Sequence, residues 1–407
     1  MLSGEVGYVV GPMLEIELNS SGNAADLVDR YFRGLYSGEP GVSLIRGGQT
    51  AANAALAALD ITGYANHRSE VLPKEARGAS VLSPYIRHNI LTLDEVARAV
   101  RSAPYKDREK FQDELKWQEY ARHVYARVGV RMFENLRFEA DTRSEGDGWN
   151  RDMLCIDEVL SELEGTGWLV NQTRMWLASH WTVRNGKGWA HGQERMYRHL
   201  LDGSRAANLL GWQWTVGAGT GKPYGFSRWQ VDKRAPGLCA RCPLKNDCPI
   251  QEFPEETVLS QANHDPLLDH DPDVSATTGP TEPLIAKKPD YVLLTIDSLG
   301  DNDPAMSAHP DLPVVFVFNE DGLRKLQLSA RRIAFYIETL QDLSARRDLH
   351  VYLGSPYQFA RDHMVAITFA PVPSFRKFTD LAEVHPYPWW RKPHAGSVRS
   401  FSSWRRV

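Results

Sequence analysis

The sequence predicts a multidomain α and α/β chain, a large all-α domain followed by a small parallel-sheet α/β domain. Three observations carry this expectation. Apolar residues recur at helical spacing up to about residue 250, short β-branched runs follow residue 290, and an acidic, proline-broken stretch separates the two. At 407 residues there is chain enough for such a division.

Residues 1–23 are expected to be an N-terminal extension. The opening "MLSGEVGYVVGPMLEIEL" lacks a basic segment followed by an apolar one, so no secretory signal is expected. No apolar run reaches the roughly 18 residues that span a bilayer, so no membrane partner is expected either. A cytoplasmic, reducing location follows, where structural disulfides are rare. The helical domain, 24–251, is read from segments such as "QTAANAALAALD", "REKFQDELKWQEYARHVYARV", "DEVLSELEGTGW" and "NQTRMWLASHWTV". The linker, 252–289, sets eight carboxylates among six prolines. The α/β domain, 290–375, is expected to have about four strands, in "YVLLTI", "VVFVF", "HVYLG" and "VAITFA", with a long amphipathic helix between two of them. Residues 376–407 read as a basic tail. Net charge is −4, so any nucleic-acid contact would need a local basic patch rather than a global field.

Three of the four cysteines fall within "GLCARCPLKNDCPIQEF", as Cys239, Cys242 and Cys248, while Cys155 stands far upstream. Buried free thiols, a zinc site and an iron–sulfur cluster all remain open on spacing alone. Zinc favours short ligand pairs. A cluster takes an uneven thiolate set, with proline following a ligand as Pro243 and Pro249 do here.

The surroundings of these cysteines are more specific. "DGSRAANLLGWQW" (202–214), "ASVLSPYIR" (79–87) and "DELKWQEYARH" (113–123) stand in order with "GTGWLVNQTRMWLAS" (165–179). In these motifs the chain resembles the photolyase/cryptochrome family of FAD-dependent, light-driven proteins over about residues 30–250. "MLCIDEVLSELEGTGW" and Lys222-Pro223-Tyr224 resemble its iron–sulfur bacterial branch. The resemblance implies a [4Fe-4S] cluster on Cys155, Cys239, Cys242 and Cys248.

It also implies FAD held by Tyr64, Ser80, Val81, Leu82, Ser83, Trp117, Gln118, Asn171, Arg174, Asp202 and Asn208. Helix N-termini and hydroxyls suit its pyrophosphate. Arg174 and Asp202 would pair across the flavin ring, and Asn208 would face its N5. Trp212 and Trp189 match two members of an electron-relaying tryptophan chain; the outermost member has only Trp149 as a candidate. Glu114, Trp117, Asn171, Met175 and Trp214 match the pocket for a cyclobutane pyrimidine dimer. Tryptophan faces suit a flipped-out dimer of this kind. A protonated or proton-sharing Glu114 would hydrogen-bond the thymine carbonyls where charge develops. The expected partner is UV-damaged DNA, and the expected chemistry is electron transfer from excited FADH⁻ to the dimer and back.

Repair of the (6-4) photoproduct is disfavoured, because Val170 and Asn171 stand where that branch has two histidines. Gln118 and Gln172 replace expected arginines and weaken anion binding. These losses favour the alternative, a cryptochrome-like blue-light receptor signalling through a protein partner. "LSARRIAFYIETLQDLSARRDLHVYLGSP" (328–356) resembles the family's antenna domain, which comes first there and last here, so the order reads as a circular permutation. The domain is short, and no antenna pigment is expected.

Overall fold

The computed structural model describes residues 13–19, 22–146, 148–285 and 288–406. Most of the expected extension therefore lies outside the described residues. The fold is α-rich with one parallel-dominated sheet. Its strands are β1 (Leu14–Glu15), β2 (Tyr36–Ser37), β3 (Tyr291–Leu294), β4 (Val314–Asn319), β5 (Leu328–Ser329), β6 (Leu349–Gly354), β7 (Val365–Thr368) and β8 (Ala382–His385). Six of them form a sheet in the order β1-β6-β4-β3-β7-β8, while β2 and β5 make a separate parallel pair. Within the large sheet only β1 runs antiparallel to its neighbour.

The sheet is therefore wider than the four strands expected, for a reason the local sequence hides. β1 comes from the segment read as an extension, and β8 from the segment read as a tail. Two- and four-residue edge strands carry too few alternating positions to announce themselves. The central strands read as continuous apolar runs because both faces are covered. Val292 and Leu294 enter one core cluster and Leu293 the other, as the two-residue period of a strand requires.

The helical half packs around a second core rich in tryptophan, with Trp176, Trp181, Trp189, Trp212 and Trp404 all buried. Its long helix, Tyr105–Val128, receives the C-terminal segment as a clasp. The Glu119 carboxylate, fully buried, accepts from the backbone N–H groups of Trp390 (2.8 Å) and Arg391 (3.0 Å). The Trp404 indole N–H donates to His123 Nδ1 (2.8 Å), and Arg127 donates to the Gly396 carbonyl (2.8 Å). Of the residues expected as a basic tail, 382–385 thus join the sheet and 390–404 pack against the helical half. The acidic linker is also docked, since Asp271 pairs with Arg127 at 3.2 Å. The two halves share a buried arginine. Arg332, on the helix Ala330–Ser344, donates to the carbonyls of Tyr197 (2.6 Å) and Gly203 (2.8 Å) in the helical half.

Candidate functional site

The residues expected to hold a flavin sit on five helices, two of them short, and on two turns. Arg174 and Met175 lie on the helix Asn171–Ser179 three and four positions after Asn171, so both share a face with it. The helix Arg205–Val216 carries Asn208, Trp212 and Trp214. Its N-cap is Ser204, whose hydroxyl accepts from the Ala207 N–H and sets the helix start beside Asp202. Glu114, Trp117 and Gln118 occupy one face of the helix Tyr105–Val128.

Arg174 and Asp202 form a two-point ion pair, 3.1 Å and 2.7 Å, with Asp202 buried. The third guanidinium contact goes to the Leu169 carbonyl at 3.0 Å, which fixes the fork. Asn208 is buried too and donates both amide hydrogens to Gln193, at its backbone carbonyl (3.1 Å) and side-chain oxygen (2.8 Å). What Asn208 has left for a ligand is therefore its Oδ1, an acceptor. No motif in the sequence singled out Gln193; its place four residues after Trp189 on the helix Trp189–His199 was the available signal.

The turn before the short helix Ser83–Arg87 holds Val81 at φ 56°, in the left-handed region. A β-branched residue there costs about 1–3 kcal/mol and persists only where the surroundings hold it. The next residue, Leu82, is right-handed (φ −82°, ψ −9°). Such a reversal turns successive N–H groups into one concavity that suits an anion. The Ser83 hydroxyl accepts from the Trp168 indole N–H at 2.9 Å, so its own hydrogen is free to donate. Tyr64 is buried edge-on against Phe111, 5.0 Å between centroids, and burial raises its phenol pKa. These donor and acceptor types fit a pyrophosphate on one side and a flavin ring on the other. Two buried polar atoms, Gln193 Nε2 and Trp212 Nε1, have no partner among the described residues.

The residues expected to meet a DNA lesion are more open. Trp117 is 37% and Trp214 41% exposed, and Asn171 is exposed. Phe401 stacks on Trp117 at 4.1 Å and 12° between planes, so the C-terminal helix Phe401–Arg405 covers one of its faces. Trp214 packs near Tyr224 (5.5 Å), whose hydroxyl accepts from Gln172 at 3.0 Å. Glu114 departs from expectation. It is ion-paired with Lys110 (2.7 Å) and Arg68 (3.4 Å), and an ion-paired carboxylate accepts hydrogen bonds rather than donating them.

Among the tryptophans, Trp189 is buried and donates to Asn135 (3.1 Å), with no ring neighbour among the described residues. Trp149 instead lies 5.0 Å from Trp181, a residue that no sequence motif marked. Trp181 and Trp212 both close on Gly192, where an added Cβ would lie 2.7 Å and 2.4 Å from them. A π-helical turn, His180–Arg184, widens the helix at Trp181 and redirects its side chain. Trp149 lines a cleft of about 790 Å³ between the helices Leu154–Thr166 and Trp189–His199, which none of the residues expected to bind the flavin lines.

All four cysteines are free of disulfides and line one small cavity with Met153, Leu238, Leu244 and Ile250. Burial and then the neighbouring thiols push Cys155 up to about 12, and burial with a hydrogen bond to Asp232 does the same for Cys239. Among the described residues, no three of the sulfurs lie within 4.8 Å of one another.

Residues 111–231 match the family model described as the FAD binding domain of DNA photolyase. A deoxyribodipyrimidine photo-lyase of Thermus thermophilus is 30% identical over 193 residues, 44% of this chain and 45% of that protein. The Vibrio cholerae protein of the same name is 29% identical over 179 residues, 39% of this chain and 37% of the relative. This chain thus spans less than half the length of these curated relatives. A solved archaeal photolyase from Sulfolobus tokodaii shares 19% identity over 52% of this chain and 50% of its own, with a TM-score of 0.41. This α-rich chain thus contains, over residues 111–231, a region similar to the FAD-binding domain of DNA photolyases. That region contains Glu114, Trp117, Arg174, Asp202, Asn208, Trp212 and Trp214.

No helix among the described residues is long and apolar enough to cross a membrane.

Proposed function

We propose that this protein repairs cyclobutane pyrimidine dimers in DNA by light-driven electron transfer from bound, reduced FAD. The observation that carries the reading is the two-point Arg174–Asp202 ion pair, inside the segment that matches a photolyase flavin domain. Reduced FAD, when bound and excited, supplies one electron to the dimer and receives it back, so the reaction has no net redox change.

The chain's own residues set the conditions for that exchange. Asn208 would offer the reduced ring its Oδ1 as an acceptor, because both amide hydrogens are spent on Gln193. The Val81 turn and the Ser80 and Ser83 hydroxyls hold the pyrophosphate. Trp117 and Trp214 present apolar faces to the flipped dimer, with Asn171 and Met175 at its rim. Glu114 acts through its neighbours: Lys110 and Arg68, held beside it, bring positive charge to the thymine carbonyls as negative charge develops there.

Electrons reach the flavin by a route that this reading assigns to Trp149, Trp181 and Trp212. The 5.0 Å contact and the shared packing on Gly192 support it, and Trp149 opens on a cleft that a solvent reductant can enter. Trp181→Phe is then expected to slow photoreduction of the oxidised protein while leaving repair by chemically reduced protein intact.

The cysteines belong to a [4Fe-4S] cluster in this reading. A zinc ion bonded to four thiolates at about 2.3 Å draws them to about 3.8 Å from one another. Four thiols lining one small cavity are a donor set that either zinc or a cluster could take, and the resemblance of the surrounding sequence to the iron–sulfur branch favours the cluster. Iron and acid-labile sulfide in the purified protein are the expected result; zinc alone contradicts it. The α/β half is read as the family's antenna domain in permuted order, here without a pigment.

The test is illumination of the reduced protein with UV-damaged thymine oligonucleotide, following the return of thymine absorbance. No return with reduced flavin present overturns the reading. A second reading, a blue-light receptor with a protein partner, is favoured by one observation: Phe401 covers a face of Trp117. Light-dependent release of the C-terminal segment without repair would select it.

A further inference from the structure

The α/β half contains a cluster that the flavin chemistry does not use. His309 Nε2 and His385 Nε2 both reach Glu383 Oε1, at 2.6 Å and 2.7 Å. The three ligand atoms all lie within 4.8 Å of one another. Glu383 and His385 are buried, whereas His309 keeps one edge toward solvent.

The placement follows from the topology. Glu383 and His385 are two apart on β8, so they share a face of the strand, while Ala382 and Val384 turn into the core on the other. His309 caps the short helix Pro304–Ala308, which follows β3 and packs over β7 and β8. In the order β6-β4-β3-β7-β8 the chain winds one way from β3 and later returns on its other side, so the β3–β7 junction is a switch point. Crevices at the carboxyl ends of strands beside such a junction are where open α/β sheets bind ligands. His385 is the last residue of β8, and Thr368, the last of β7, accepts from the Ala305 N–H (3.1 Å) under the same helix.

We propose that His309, Glu383 and His385 form a binding site for a divalent first-row transition-metal ion, zinc above all. Two imidazole nitrogens and one carboxylate oxygen are a borderline donor set that suits such ions and not magnesium, which prefers oxygen ligands alone. Three protein ligands leave a coordination position free, and the exposed edge of His309 directs it to solvent. In the metal-free state the carboxylate accepts a hydrogen bond from each imidazole. The ion replaces those two hydrogens and draws on the same three atoms. Because β8 leads directly into the segment that clasps the helix Tyr105–Val128, the ion also fixes the start of that clasp.

The test uses the full-length chain stripped of loosely bound metal, titrated with zinc in competition with a chromogenic chelator. The parent protein is compared with His309→Ala and Glu383→Gln, so that uptake by the cysteines cancels. The expected result is one more equivalent of zinc in the parent, and at least about 100-fold weaker binding at that site in either variant. Zinc should also raise the Tm of the parent but not of His309→Ala, whose partly exposed position makes it the variant least prone to misfold. Magnesium should do neither. Equal zinc uptake by parent and both variants overturns the proposal, as does a Tm rise that magnesium reproduces. Neither readout involves the flavin, so the outcome is separate from that of the repair assay.

Discussion

The residues assigned to the flavin and those assigned to the lesion lie on the same helices yet in opposite environments. On the flavin side Asp202 and Asn208 are buried and hold preset partners, Arg174 and Gln193. On the lesion side Trp117, Asn171 and Trp214 are exposed, Trp117 stacking on Phe401 of the C-terminal helix and Trp214 lying tilted against Tyr224. Buried polar pairs are costly to break and hold one geometry, which suits a resident cofactor. Exposed aromatic faces are cheap to uncover, which suits a substrate that arrives and leaves. Substitutions should therefore separate stability from activity along this divide.

The largest effect is expected from Arg174→Ala, which strands the buried Asp202 carboxylate. A loss of about 3 kcal/mol and of flavin content is expected, measured by denaturant unfolding and flavin absorbance. If the variant keeps both, the buried side of the comparison fails. Gly192→Ala comes next. Its Cβ collides with both Trp212 and Trp181, and overpacking of this kind costs about 2 kcal/mol. Photoreduction should slow together with the fall in Tm.

Acid acts on the buried side as well. Burial, then Arg127, lowers His123 to about 3; burial, then Arg87, lowers His88 to about 3; and burial, then Arg184, lowers His180 to about 4. The unfolded chain binds these protons near pH 6.5, but the folded chain does not. The stability they contribute is thus fully present above about pH 6.5 and declines as pH falls toward the folded values. The slope is about 1.4 kcal/mol per pH unit for each group. Urea unfolding between those limits checks it. Smallest in stability, though not in activity, is Glu114→Gln, expected within about 0.5 kcal/mol of the parent. Repair should fall because Lys110 and Arg68 lose the carboxylate that holds them. Unchanged repair with intact folding would break the lesion-side assignment.

Much of the helical half was legible because its information is local. Residues three and four apart on a helix share a face, so the sets Glu114/Trp117/Gln118 and Asn171/Arg174/Met175 could be placed on single faces from their spacing. Cys155 could be tied to the other three cysteines only through the resemblance, since no spacing rule links it to Cys239 across that distance. Trp181 escaped because a π-helical turn breaks the period that would have registered it against Trp212. The i,i+4 spacing of Lys110 and Glu114 made one ion pair at Glu114 locally available, whereas Arg68 reaches it from another segment, 46 positions away.

By itself the sequence determined the class of each half, the helices and their faces, and the residue types available for redox and thiolate chemistry. Tertiary structure alone decided that residues 14–15 and 382–385 join one sheet, that the last residues clasp the helix Tyr105–Val128, and that His309 meets Glu383 and His385. Periodicity records which way a side chain faces within its own element. Which distant segment it faces is set by burial and hydrogen-bond satisfaction summed over the whole chain, and no short window contains that sum.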